Sequence, residues 1–150
     1  MLNNVLIQIY ERDLEKLRAE IELYTDETDL WTTSGEIANS AGNLCLHLAG
    51  NLKHFFGTVL GGSDYVRDRD AEFSDTGVSK EKLLADIIET AAVVKNALQQ
   101  LTEDDFARDY PIEVFGHPMT TAFFLVHLAT HLNWHLGQIN YHRRLLTATD

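Results

Sequence analysis

Apolar residues recurring every three or four positions, in four separate stretches, constrain this chain more than any other feature of its sequence. Leu6, Tyr10, Leu14, Leu17, Ile21 and Tyr24 advance at the helical period, and the intervening ERDLEKLRAE places charge on the opposite face. The pattern predicts an amphipathic helix over residues 2–24. The polar stretch TDETDLWTTSGE follows. Within it Thr33-x-x-Glu36 is a candidate capping box for the next helix, with Asn39 a second candidate start. That second helix is expected to run to Leu60, where Gly61 and Gly62 stop it.

Residues 63–78 are polar and aperiodic, which predicts a loop. Ser79 then offers an N-cap with Glu81 in the first turn, where a carboxylate suits the helix dipole. Leu84, Ile87, Ala91, Val94, Leu98 and Leu101 carry the third helix. Thr102 opens a short helical turn through EDDFAR, and DYPIEVFGHPMT reads as a small hairpin or loop because of its prolines and glycine. A fourth helix is expected from Thr120 to Leu146. Four long helices without a long strand predict an all-α fold, a four-helix bundle forming one domain over residues 1–150. The long connections leave crossover topologies open beside simple up-down-up-down order.

Charge narrows the function classes. Twelve Lys and Arg face 23 Asp and Glu, a formal net charge of −11, and no basic cluster offsets it locally. Such a chain is a poor partner for phosphate backbones and for anionic membrane surfaces. No apolar run approaches the roughly 20 residues that cross a bilayer, and the opening MLNNVLIQIYERDLEK lacks the basic and small-residue marks of a signal peptide. Cys45 is the only cysteine, so no intrachain disulfide forms; a cytoplasmic setting and a buried structural thiol are expected.

The chemistry concentrates in HLATHLNWHLGQINYH, residues 127–142, which holds four of the seven histidines. At about 100° per residue, His127, His131, His135, Gln138 and His142 share a strip roughly 80° wide. It lies beside the apolar Leu128, Leu132, Leu136 and Ile139. Two imidazoles at i and i+4 on a helix point the same way, at a spacing one metal ion bridges. A third ligand must come from another element. His47 and His54 on the second helix are the candidates, lying about 10 Å apart along one face, so only one of them reaches the same ion. Asn51 lies between them. Neither histidine pair carries the glutamate of HExxH peptidases, and no glutamate precedes a histidine by three, which removes the ferritin-like di-iron pattern. GxSxG, P-loop and GxGxxG motifs are absent.

His131-x-x-x-His135-Leu136-Gly137-Gln138 resembles the HxxxHxGQ signature of the DinB-like superfamily, and Asn39 to Ala49 (NSAGNLCLHLA) resembles its second-helix segment. The resemblance spans essentially the whole chain. It implies an up-down-down-up bundle, often dimeric, with a divalent metal ion, zinc or nickel, held by one histidine of helix two and the HxxxH pair of the last helix. By position those ligands are His47, His131 and His135. Many members carry arginine where this chain has Leu136, so no role is borrowed from that arginine. His127, His54, Asn51 and Gln138 are then candidates for orienting ligands or contacting substrate. Characterised relatives include S-transferases that use low-molecular-weight thiols and a thiol-dependent isomerase. The resemblance thus implies a metal-dependent enzyme using a small thiol, with a non-catalytic metal-binding or stress-responsive interaction protein as the alternative. A homodimer is expected from the family habit and from the near-continuous apolar run Phe123, Phe124, Leu125, Val126 and Leu128.

Overall fold

The computed structural model describes residues 1–147. Four long helices carry the architecture: α1 (Leu2–Glu22), α2 (Ala41–Leu52), α4 (Lys80–Gln100) and α6 (Thr121–Thr147), with short α3 (Arg69–Ser74) and α5 (Glu103–Ala107) in the connections. Among the described residues the extended pairing is limited to a single antiparallel bridge between Asp109 and Thr120. Among the described residues no helix is long and apolar enough to cross a membrane.

Cross-helix bonds fix the direction of each helix. From Tyr10 bonding Leu125, through Asp13 bonding Asn133, to Glu20 bonding Asn140 and Arg143, positions rise together on α1 and α6. These two helices are therefore parallel. Lys53 pairs with Asp86, and Gly57 abuts Val93 further along, so α2 and α4 are also parallel. His47 meets His131 whereas Phe55 meets Phe124, which sets α2 antiparallel to α6. Lys95 pairs with Glu11 at one end while Lys80 bonds the carbonyls of Glu22 and Tyr24 at the other, so α4 opposes α1. The order is up-down-down-up. Because α2 and α4 run the same way, the chain between them must travel the length of the bundle, and this crossover passes over the histidines.

The helices form where their apolar stripes demand. Leu6, Tyr10, Leu14, Leu17 and Ile21 of α1 are buried, as are Leu83, Ile87, Val94 and Leu98 of α4. The buried α4 stripe thus includes Leu83 rather than Leu84, which lies about 100° round the helix from it. Ser79 caps α4 by accepting from the Lys82 amide, as its position predicts. Thr102 and Asp105 form a reciprocal capping box on α5. At the start of α2 the cap is Ser40, which accepts from the Asn43 amide at 3.2 Å, rather than Thr33 or Asn39. Residues 32–39 instead wrap outward, and Trp31 folds back so closely on Gly42 that a Cβ there would stand 2.6 Å from the indole ring.

Beyond Leu52, α2 widens into a π-helical turn, Lys53–Leu60, that ends at Gly61. The Tyr110 hydroxyl donates to the Phe55 carbonyl in this turn at 2.6 Å. Residues 109–120 form a loop pinched at its base by the Tyr110 and Thr121 amides, each bonding across to the other strand at 2.8 Å. Cys45 is fully buried and unpaired, and burial pushes its thiol well above the ordinary range.

Candidate metal centre

Helix spacing places His131 and His135 one turn apart on α6, and the antiparallel packing of α2 brings His47 up against them. The three Nε2 atoms converge. His47 Nε2 lies 3.1 Å from His131 Nε2, which lies 3.2 Å from His135 Nε2. The rings meet edge to face, at interplanar angles of 81°, 86° and 89°. One ligand nitrogen from each residue falls within 4.8 Å of the others, so the group is able to hold a metal ion. Two nitrogens on one tetrahedral ion at about 2.0–2.1 Å stand about 3.3 Å apart, close to the spacing seen here.

Protonation favours the same use. His47 Nδ1 stands 3.0 Å from Glu72 Oε1, with Arg67 Nη2 3.3 Å away, and a carboxylate only accepts, so a hydrogen sits on Nδ1 and the metal-binding form of the ring has its lone pair on Nε2. His135 Nδ1 donates to Gln138 Oε1 at 2.7 Å, with the same result. Both lone pairs then face His131, whose buried Nδ1 has no partner among the described residues. Whichever tautomer His131 adopts, the three converging nitrogens carry more lone pairs than protons. A cation relieves this. Burial, then the neighbouring histidines, lowers the His131 pKa to about 4, and burial outweighs the Gln138 bond in lowering that of His135. These two imidazoles are neutral at neutral pH, the form that binds metals.

Glu72 comes from the crossover. It is only 6% exposed, yet it stays ionised: burial raises its pKa, but bonds from Arg67 and His47 outweigh that and bring it below the ordinary carboxylate range. Arg67 grips both carboxylate oxygens at 2.8 Å. Gly50 makes the approach feasible, since a Cβ at that position would lie 2.1 Å from Glu72 Oε2. The crossover is tied down from α2 as well: Asn43 Nδ2 donates to the carbonyls of Glu72 and Asp75 at 3.0 and 2.7 Å. The Ser40 cap holds Asn43 in turn by donating to its Oδ1 at 2.7 Å. Phe73 covers the His47 ring, with centroids 4.7 Å apart.

The other residues singled out in the sequence divide. Asn51 lies beside the triad, buried, with its Oδ1 unpartnered among the described residues. His127 stacks on Phe124 and meets the edge of Phe115, one turn from His131. His54 sits in the π-helical turn with its ring against Phe55, while Phe55 lines the space below Asn51. His142 lies on the same strip but takes no part in the triad: its Nε2 donates to the Thr32 carbonyl at 2.8 Å and its Nδ1 takes the Tyr24 hydroxyl at 2.6 Å. Glu72 and Arg67 were not found from the sequence, because they sit in the stretch read as a loop. The available signal was Gly50, a glycine inside a helix one turn from His47, which marks a close approach.

A family described as "Protein of unknown function (DUF1572)" matches residues 5–150. The chain belongs to this family. DUF1572 is DinB-like in fold. This DUF1572 chain is similar to the crystal structure of a DinB-like protein from Bacillus cereus, with a TM-score of 0.75 and 18% identity over 94% of this chain and 90% of that one. It is also similar to a conserved protein from Enterococcus faecalis, with a TM-score of 0.72 and 18% identity over 97% of each chain. No curated protein matches it. At such identity the likeness carries the fold, and the chemistry rests on the residues of this chain.

Proposed function

We propose that His47, His131 and His135 hold one divalent ion, zinc or nickel, and that the protein is a metal-dependent enzyme acting on a small thiol, in the manner of an S-transferase. The observation that carries this reading is the convergence of three Nε2 atoms, two with their lone pairs fixed by Glu72 and Gln138. When bound, such an ion supplies Lewis acidity that brings the pKa of an added water or thiol towards neutrality. The chain does the rest. Three neutral imidazoles leave the ion's charge uncancelled, and Glu72 and Gln138 hold two of the rings in place. The triad is reachable from two sides: His135 borders a cavity of about 520 Å³, and His47 and His131 border another of about 220 Å³. Cys45, buried and with its thiol pKa raised, is no nucleophile, so the thiol must come from outside. A cytoplasmic homodimer belongs to the same reading; an apolar groove beside Val5 of α1 and Val126 and Trp134 of α6 is open to a second copy.

The test is turnover of the zinc- and nickel-loaded protein with a panel of low-molecular-weight thiols and an activated aryl chloride, with conjugate followed by mass spectrometry. Conjugation above the uncatalysed rate, lost in His135→Ala, supports the reading. Stoichiometric metal with no conjugation for any thiol, and a melting temperature that collapses on chelation, overturns it in favour of a non-catalytic metal protein.

A further inference from the structure

His142 lies about two turns beyond His135 on α6, and its two bonds build a wall rather than a metal site. Its Nε2 holds the Thr32 carbonyl and its Nδ1 the Tyr24 hydroxyl. The segment after Thr32 is thereby pinned to α6 at one end, and the Ser40 cap pins it to α2 at the other. Between the pins, a turn closed by the Ile37 amide on the Ser34 carbonyl at 3.1 Å, with Gly35 at φ +60°, carries Ile37. This segment and α6 enclose the chamber of about 520 Å³ that His135 borders, a size within the roughly 300–1,000 Å³ of small-molecule sites. The α6 wall runs from His135 to Leu145, about 15 Å of helix, so the chamber leads lengthwise away from the triad. Ile37, Tyr141 and Leu145 give it exposed apolar walls, with Leu44 buried behind them. The imidazoles beside it are already bonded: both nitrogens of His142, and His135 Nδ1 with Gln138. Arg144 lies over the Tyr141 ring, but among the described residues no Lys or Arg lines the chamber, and the carboxylate on its lining, Glu36, is exposed.

We infer that this chamber takes the apolar body of the substrate that reacts with the thiol: an uncharged, elongated molecule lying along α6 with its polar, reactive end at His135. Large apolar side chains left in water around a concave space beside a metal-binding cluster gain by being covered, and an apolar ligand entering there breaks none of the bonds of His135 or His142. An anionic tail gains no cation on the lining and meets the field of a chain of net charge −11. Full burial of a methylene is worth about fourfold in affinity, so walls open to solvent on one side give about twofold. The substrate's reaction rests on the proposed metal reading, whereas the chamber's preference for apolar, uncharged ligands rests on its walls.

The experiment follows the Leu44 methyl resonances during NMR titration with straight-chain hydroxamic acids of two, four, six and eight carbons, in zinc-loaded and chelated protein. The expected result in the zinc-loaded protein is affinity that rises about twofold per added methylene, with Leu44 moving as the chain lengthens. Ile37→Asp and Leu145→Asp, both at exposed positions, should flatten that rise while zinc content and the affinity of the two-carbon acid stay at the wild-type level. Ile88→Asp, at an exposed apolar position on α4, should change neither. The eight-carbon acid carrying a carboxylate at its far end should bind at least tenfold more weakly than its methyl-ended counterpart. Affinity independent of chain length, an undiminished rise in Leu145→Asp, or equal binding of the carboxylate-ended chain overturns the inference and leaves the metal reading standing. If the protein takes up no zinc, the metal reading falls and the chelated titration decides: length-dependent movement of Leu44 upholds the chamber, and its absence overturns it.

Discussion

Gly50→Ala is the substitution whose consequences are most specific to this arrangement. In an ordinary helix interior the change from glycine to alanine is stabilising by about 1 kcal/mol. Here the added Cβ would lie 2.1 Å from Glu72 Oε2 and 2.7 Å from its Cδ, and Glu72 is buried, so the carboxylate must leave its place. Its bond to His47 goes with it, and a hydrogen bond to a charged group is worth about 1.5–3 kcal/mol. The net expectation is a loss of about 0.5–2 kcal/mol, or about 1–8 °C in melting temperature for a chain of this size. Metal affinity should fall further, about 10–100-fold, because His47 loses the partner that fixes its tautomer and ring orientation. Gly137→Ala is the control: a Cβ there meets nothing within 4 Å, so it should stabilise α6 and leave metal binding alone. Thermal denaturation of the chelated proteins and competitive zinc titration separate the two effects. If Gly50→Ala behaved like Gly137→Ala in both assays, the argument that Glu72 reaches His47 through the gap at Gly50 would be wrong.

Two further outcomes follow from the same contacts. The His131 pKa falls from 6.5 unfolded to about 4 folded, so the unfolded chain binds the extra proton in between and stability rises with pH across that window. The chelated protein should therefore lose stability as pH drops from about 6.5 towards 4, and the slope should flatten in His131→Gln; an identical slope in both refutes the assignment. His142→Ala strands the buried Tyr24 hydroxyl and the Thr32 carbonyl, at a cost of roughly 2–4 kcal/mol in chemical denaturation, while zinc affinity stays unchanged; lost affinity with intact stability would place His142 at the metal after all.

Much of the fold was legible because burial imposes a period. The stripe from Leu6 to Ile21, the Ser79 cap and the Thr102 turn are local, and local rules read them. The convergence of His131 and His135 is likewise a helix repeat, but the pairing with His47 depends on packing, and the family resemblance supplied it. What stayed hidden was non-local. Glu72 meets His47 across 25 residues from a segment with no periodicity, and nothing in its neighbours marks it as an α3 residue that faces inward. Thr33, Asn39 and Ser40 are all of the right type to cap α2; Ser40 takes the place, and Trp31 docks on Gly42 in the turn that follows it. His142 shared an angle with the triad but not a height: seven residues beyond His135 is about 10 Å up the axis, where different partners wait.

Metal content of tag-free protein, measured by mass spectrometry for wild type and for His47→Ala, His131→Ala and His135→Ala, decides whether three histidines of this chain hold one metal ion. About one zinc or nickel per wild-type chain is expected, lost in each folded variant and retained in His142→Ala. A folded wild type that carries no metal and takes up neither zinc nor nickel when offered them would contradict it.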